Sequence, residues 1–261
     1  MRKTMEEKVR EVLAEQGLSE MEEEVIGTLV PCVMIRLREE ETVPRGSSKF
    51  GGVPDLPSDL SYPFSEGKPL PFIAQYNLAQ LREVDPMSPL PDRGMLYFFA
   101  TVDDLLWGAP SDRMSGKVIY ADAEREELVP APLPEDLPRE VRYPERGIDF
   151  RLEKSFPNVD APEDMEEIWF DLMDRLYDLE GREGGYHQAF GPPLELESDV
   201  FEACREQTGK KEADWVLLLQ VDSDEELDMV FGNRGMIYFC ITRNDLLKGN
   251  FDEACLVLQN P

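Results

Sequence analysis

The sequence predicts a mainly β, α+β fold: internally duplicated antiparallel sheets in two pseudo-symmetric halves, with N-terminal and inserted helices. Three observations carry this. First, a motif occurs twice. Arg93-Gly94-Met95-Leu96-Tyr97-Phe98-Phe99, followed by Asp103-Asp104-Leu105-Leu106 and Gly108, returns as Arg234-Gly235-Met236-Ile237-Tyr238-Phe239-Cys240, followed by Asn244-Asp245-Leu246-Leu247 and Gly249. The offset is 141 residues, 236 against 95, with no gap. Second, an apolar run ending in glutamine precedes each copy: Phe72-Ile73-Ala74-Gln75 and Leu217-Leu218-Leu219-Gln220. Self-similarity of this kind marks a repeat architecture. Third, strand-like and helix-like segments are interspersed without regular βαβ alternation, which argues for antiparallel sheets.

The elements follow in chain order. Residues 5 to 16 have helical periodicity (Met5, Val9, Val12, Leu13) and end at Gly17. Ser19 is placed to cap a second helix to about Leu29, with Glu22, Glu23 and Glu24 at its positive end. Pro31 stops it, and Val33 to Leu37 reads as a strand. The Gly- and Pro-rich stretch from Gly46 through Pro71 forbids regular helix and reads as a shaped, extended loop. Strands are expected at Phe72 to Tyr76, Met95 to Thr101 and Lys117 to Tyr120, with a helical turn at Asn77 to Leu81 and another at Asp103 to Leu106. Residues 163 to 179 carry an apolar stripe (Met165, Ile168, Trp169, Leu172, Leu176, Leu179) at helical spacing behind Pro162. A shorter helix is expected from Asp199 to Gln207, then strands at Trp215 to Val221, Met236 to Ile241 and Leu256 to Gln259. The organisation expected is a helical segment at 1–29 and one domain at 30–261. That domain comprises two repeats, about 30–129 and 145–261, joined by a proline-stiffened connector at 130–144.

Composition bounds the function. The chain has 261 residues, 41% of them hydrophobic, which suffices for a sizeable core. Acids outnumber bases 55 to 27, for a net charge of −28. Such a body repels phosphate backbones and anionic lipid, so neither nucleic acid nor membrane is an expected partner; a basic protein is its complement. The four cysteines, Cys32, Cys204, Cys240 and Cys255, show no C-x-x-C spacing and read as buried thiols. No apolar run approaches a membrane span, and residues 1 to 16 lack the pattern of a signal peptide. A cytoplasmic location is expected.

Several constellations bear on chemistry. In Ser48-Lys49-Phe50-Gly51-Gly52 the glycine pair fits a tight turn; with Lys49 beside it, successive N–H groups also fit an anion cradle. No Walker or dinucleotide-binding pattern is present. Asp222-Ser223-Asp224-Glu225-Glu226-Leu227-Asp228 is acid-rich but lacks the Gly and Glu an EF-hand needs, because Leu227 and Asn233 occupy those positions. No metal and no cofactor is expected. His187, the sole histidine, lies in a Gly-rich loop without a nucleophile signature. Gln75 and Gln220 end equivalent strands and either bridge the halves or face a shared cleft. Glu163, Glu167, Asp171, Asp174 and Asp178, spaced 4, 4, 3 and 4, share one helix face and form either a solvated face or a docking surface for a basic partner.

Together, Ser48 to Pro57 (with Gly51-Gly52-Val53-Pro54-Asp55-Leu56-Pro57), Pro71-Phe72-Ile73-Ala74-Gln75, the two Gly-Met strands, Asp222-Ser223-Asp224, Phe231-Gly232 and Leu258-Gln259 resemble the YwqG-like family over roughly residues 30 to 260. The resemblance implies a duplicated, mainly antiparallel β fold and no established reaction. Bacterial members sometimes lie near secreted-toxin genes, which suggests an immunity or partner-binding role. The chain departs from the pattern where Glu195 and Glu197 replace an expected glutamine and Phe231 an expected tryptophan. The function expected is therefore a non-catalytic protein-binding module. The alternative is a small-ligand binder or enzyme using a cleft between the repeats, walled by Ser48, Lys49, Gly51, Gly52, Gln75, His187, Gln220, Asp222 and Asp224.

Overall fold

The computed structural model describes residues 3–40, 42–101, 114–156, 175 and 185–260. Among these, the strands are β1 Val30–Leu37, β2 Lys49–Phe50, β3 Asp55–Pro57, β4 Phe64–Ser65, β5 Lys68–Pro69, β6 Phe72–Asn77, β7 Met95–Thr101, β8 Ser115–Ala121, β9 Leu128–Pro130, β10 Arg146–Ser155, β11 Gln188–Ala189, β12 Trp215–Asp222, β13 Met236–Thr242 and β14 Cys255–Gln259. The α-helices are α1 Met5–Gln16, α2 Glu22–Thr28, α3 Leu78–Val84, α4 Val200–Thr208 and α5 Arg243–Lys248. Residue 175 apart, the expected helix at 163–179, with Glu163, Glu167, Asp171, Asp174 and Asp178, and the turn at 103–106 lie outside the described residues.

Ten strands form one antiparallel sheet in the order β14-β13-β12-β11-β1-β10-β2-β6-β7-β8. The order is a palindrome of the duplication. From the central β1–β10 pair outward, β11 answers β2, β12 answers β6, β13 answers β7 and β14 answers β8. β6 and β12 each carry a register shift at the same place, between Phe72 and Ala74 and between Leu217 and Leu219. Such bulges bend the strand and increase its twist. The sheet curls until its two edge strands meet: a Cβ on Gly116 of β8 would stand 2.7 Å from Cβ of Leu256 on β14. The halves also exchange strands. β1 precedes β2 in sequence but pairs with β11, and β10 precedes β11 but pairs with β2.

Residue alternation explains the core. In β7, Leu96, Phe98 and Ala100 enter the inner cluster, as do Ile237, Phe239 and Ile241 of β13. The equivalent rings of Phe98 and Phe239 pack on each other at 5.2 Å. Their neighbours point the other way, as the period of two requires. Met95, Tyr97 and Phe99 pack under Leu56, Leu70 and Leu128; Met236, Tyr238 and Cys240 pack under Val200 and Cys204 of α4. Both faces are therefore buried, and the strands read as continuous apolar runs. A separate cluster joins α1 and α2 (Met5, Val9, Val12, Leu13, Val25, Leu29).

Several local details add to or correct the expected elements. Thr4, which accepts from the Glu7 amide, caps α1. Ser19 opens a short 3₁₀ turn and makes no capping bond to α2. Asp199 is the cap of α4 and not its first residue, accepting from the Phe201 and Glu202 amides. Pro31 lies inside β1 and does not merely precede it; β11 pairs only with Val33 and Met34, so the ladder on that side needs nothing from Pro31. All four cysteines are buried thiols. Among the described residues, no helix is long and apolar enough to cross a membrane.

Candidate functional site

The residues singled out as walls of a cleft lie instead in or beside two copies of one hydrogen-bond network, each tying a loop to the end of a strand. In the first, Gln75 of β6 is wholly buried. Its Oε1 accepts from the Asp55 amide at 2.9 Å, and its Nε2 donates to Ser47 O and to Asp55 Oδ2, both at 2.9 Å. Tyr97 donates its hydroxyl to Asp55 O at 2.6 Å. In the second, Gln220 Oε1 accepts from the Leu194 amide at 2.8 Å and its Nε2 donates to Tyr186 O at 2.8 Å. Tyr238 donates to Leu194 O at 2.7 Å. Glutamine and tyrosine thus clamp one backbone residue by its N–H and its C=O, satisfying groups that would be costly to bury unpaired.

The clamps align the loops residue by residue: Gly46 with Gly185, Ser48 with His187, Lys49 with Gln188, Gly51 with Phe190, Gly52 with Gly191 and Asp55 with Leu194. The backbone agrees. Gly51 and Gly52 have φ of 57° and 70°, and Phe190 and Gly191 have 58° and 68°. Left-handed backbone suits glycine, so the aromatic Phe190 there is an outlier held by its surroundings. At Gly51 a side chain has no room, since a Cβ would lie 2.2 Å from Pro144 O. The amides an anion nest would use are already engaged: Gly51 N donates to Ile73 O at 2.9 Å and Gly52 N to Tyr143 O at 2.8 Å.

Ser48 and His187 perform the same task with different chemistry. Ser48 Oγ accepts from the Asn77 amide and donates to Gln80 Oε1, each at 2.8 Å. His187 Nδ1 accepts from the Asp222 amide at 3.2 Å, while Nε2 faces Asp224 Oδ2 at 3.1 Å. An N–H donor aimed at Nδ1 assigns the proton to Nε2. The Phe50 ring packs on this imidazole at 4.9 Å, so the two loops touch. Asp224 also accepts from the Glu226 amide at 2.7 Å. The His187 hydrogen bond, then that amide, hold its carboxyl below the ordinary range, against the burial that raises it. Asp222 accepts from the Tyr186 amide at 3.0 Å. The acid-rich run thus serves the loop and a 3₁₀ turn. Among the described residues, no group of three or more His, Cys, Asp or Glu is placed to hold a metal.

The copies differ in charge. Lys49 is buried with Nζ 2.7 Å from Glu145 Oε2 and 3.3 Å from Asp55 Oδ2. Asp55 Oδ2 also accepts from the Gly46 amide at 3.0 Å. In the second copy these positions hold Gln188, which donates to the carbonyls of Phe190 and Pro192, with Leu194 opposite Asp55. Cys32 stands opposite Glu145: a Cβ on Gly52 would meet Glu145 Cβ at 2.7 Å, and one on Gly191 would meet Cys32 Cβ at 2.7 Å.

Sequence reasoning did not single out Asp55, Gln80, Tyr97, Glu145, Gln188 or Tyr238 for the site. The two tyrosines occupy equivalent places in the repeated motif, which was the available signal. What the fold and these networks define is a duplicated, strand-exchanged β domain whose buried polar residues fasten its own loops. The chain belongs to a family of unknown function: residues 48–259 match the model of DUF1963, a domain of unknown function. The matched span opens at Ser48 and closes at Gln259, whose Oε1 accepts from the Leu196 amide at 2.7 Å. No curated protein sequence matches the chain.

Proposed function

We propose that this chain is a non-catalytic, cytoplasmic protein-binding module whose partner is a basic protein. The observation that carries this reading is the imbalance of 55 acids over 27 bases. Many of the described bases are already paired with acids, as in Arg38–Asp149, Arg93–Asp122, Lys154–Glu6 and Arg243–Asp214, so the surplus facing solvent is negative. A field of that sign speeds the approach of a cationic surface and discriminates against acidic ones. The internal engagement of His187, Lys49 and both glutamines supports the same reading, since these side chains serve the scaffold. The resemblance to YwqG-like proteins adds an immunity-type partner as the finer version of the proposal. Glu163, Glu167, Asp171, Asp174 and Asp178 are the first residues to neutralise.

The test is a low-salt pull-down from native lysate with salt-gradient elution, followed by affinity measurements on the recovered partner. A basic partner whose affinity falls steeply between low salt and about 0.15 M, where the screening length is about 8 Å, is expected. Salt-insensitive binding, or a partner of acidic surface, would overturn the proposal.

A further inference from the structure

His187 stands at the joint between the halves. Its carbonyl accepts from the Ile35 amide of β1 at 2.9 Å, its ring lies against Phe50 of β2, and its side chain is wholly buried. The strand it introduces, β11, is two residues long and sits between β12 and β1. We propose that His187 is a proton-operated latch: neutral, it holds the loop before β11 to the end of β12; protonated, it lets that seam go. The reason lies in the difference from its counterpart. The Ser48 hydroxyl accepts one hydrogen bond and donates another, and does so at any pH. An imidazole accepts only while Nδ1 keeps its lone pair. Protonation strengthens the bond from Nε2 to Asp224 and turns Nδ1 into a donor facing the Asp222 amide, which is also a donor.

The groups around the ring are these. From the turn after β12 comes the Asp224 carboxylate, 3.1 Å from Nε2, while the end of β12 brings the Asp222 amide to Nδ1 and the Asp222 carboxylate to the Tyr186 amide. From β2 comes the uncharged Phe50 ring, while the neighbouring Lys49 ammonium is held by Asp55 and Glu145. Gly185 covers the ring edge, where a Cβ would lie 2.8 Å from Nε2. From β1 the Ile35 amide reaches the His187 carbonyl. Protonation sets an Nδ1 hydrogen against the Asp222 N–H, so the opening is local to Asp222 and the 185–188 loop.

The test uses the whole chain labelled with nitrogen-15. His187 is its only histidine, so the imidazole spectrum assigns itself. Near pH 8 the expected pattern is an unprotonated, hydrogen-bonded Nδ1 and a protonated Nε2. On acidification the imidazolium signal should rise together with about a tenfold faster hydrogen exchange at the Asp222 amide, as loss of one buried hydrogen bond implies. Both changes should precede global unfolding. His187→Asn presents Oδ1 near the place of Nδ1 without titrating, and should abolish the acid-dependent exchange. A protonated Nδ1 near pH 8, an imidazolium with the Asp222 amide unchanged, or a ring that stays neutral until the whole chain unfolds would each overturn the proposal. The wild-type spectrum decides even if the variant does not fold.

Discussion

The Ser48–Asp55 loop and the His187–Leu194 loop have the same backbone and almost none of the same side chains. What they share is a clamp: Gln75 with Tyr97 in one, Gln220 with Tyr238 in the other, each holding one residue by its N–H and C=O. What they do not share is charge. The first loop contains a buried lysine between two carboxylates; the second has glutamine, leucine and cysteine in the same places. The comparison separates what the backbone demands from what one half added. The clamp satisfies main-chain groups that would otherwise be buried bare, whereas the ionic trio is one of two workable fillings of the space beside it.

Breaking the trio should give the largest effect. Lys49→Met leaves the buried Asp55 carboxylate without its cation and should cost about 3–5 kcal/mol in chemical denaturation. Installing the second loop's own set, Lys49→Gln with Asp55→Leu and Glu145→Cys, should recover more than half of that loss, because no uncompensated charge remains. A triple variant no more stable than the single one would show that the two fillings are not interchangeable.

The clamps should come next. Gln75→Leu and Gln220→Leu each strand buried backbone groups, at about 2–3 kcal/mol. Gln75 should be the more costly, since it also donates to the Asp55 carboxylate. Equal or reversed losses in urea titrations would mean that the side-chain bond adds nothing.

The smallest effect separates the loops by pH. Asp224 has a lowered pKa in the folded chain, held mainly by His187. A lowered carboxyl pKa gives stability that is fully present above the unfolded value of about 3.9 and is lost as pH falls through the folded value. Asp224→Asn should therefore flatten the acid limb of the stability curve between about pH 4 and the folded value, with Gln80→Glu, at the α3 residue that faces Ser48, leaving Asp224's contribution in place. An unchanged acid limb in Asp224→Asn would remove the assignment.

Much of the fold was legible because β7 and β13 carry bulky apolar residues on both faces, and a motif that fills two cores tolerates little change. The central strand β10 was not anticipated, although Ile148, Phe150 and Leu152 alternate with Asp149, Arg151 and Glu153 in plain period-two fashion. It falls at the start of the second repeat, just past the Pro-rich connector at 130–144, where its charged alternate residues left no continuous apolar run to mark a strand. The correspondence of the two loops was hidden for a different reason. Lys49-Phe50-Gly51-Gly52 and Gln188-Ala189-Phe190-Gly191 share a backbone path and one glycine, and a path leaves little trace in residue type when a phenylalanine is held at φ 58°. Of the site, Gln75 and Gln220 were recognisable as equivalent. Their tyrosine partners stood out only as members of the repeated motif, because a Tyr in an apolar strand shows no polar task until its hydroxyl finds a carbonyl.

The strand exchange sets a timetable for synthesis. β1 leaves the ribosome roughly a hundred residues ahead of β10 and further still ahead of β11, the two strands it pairs with. At about 5–20 residues per second it waits on the order of ten seconds with its ladder groups open. During that interval the nascent chain offers an unpaired β-edge to any neighbouring polypeptide, so crowding by sister chains on one message is the setting in which this fold is most exposed to mispairing.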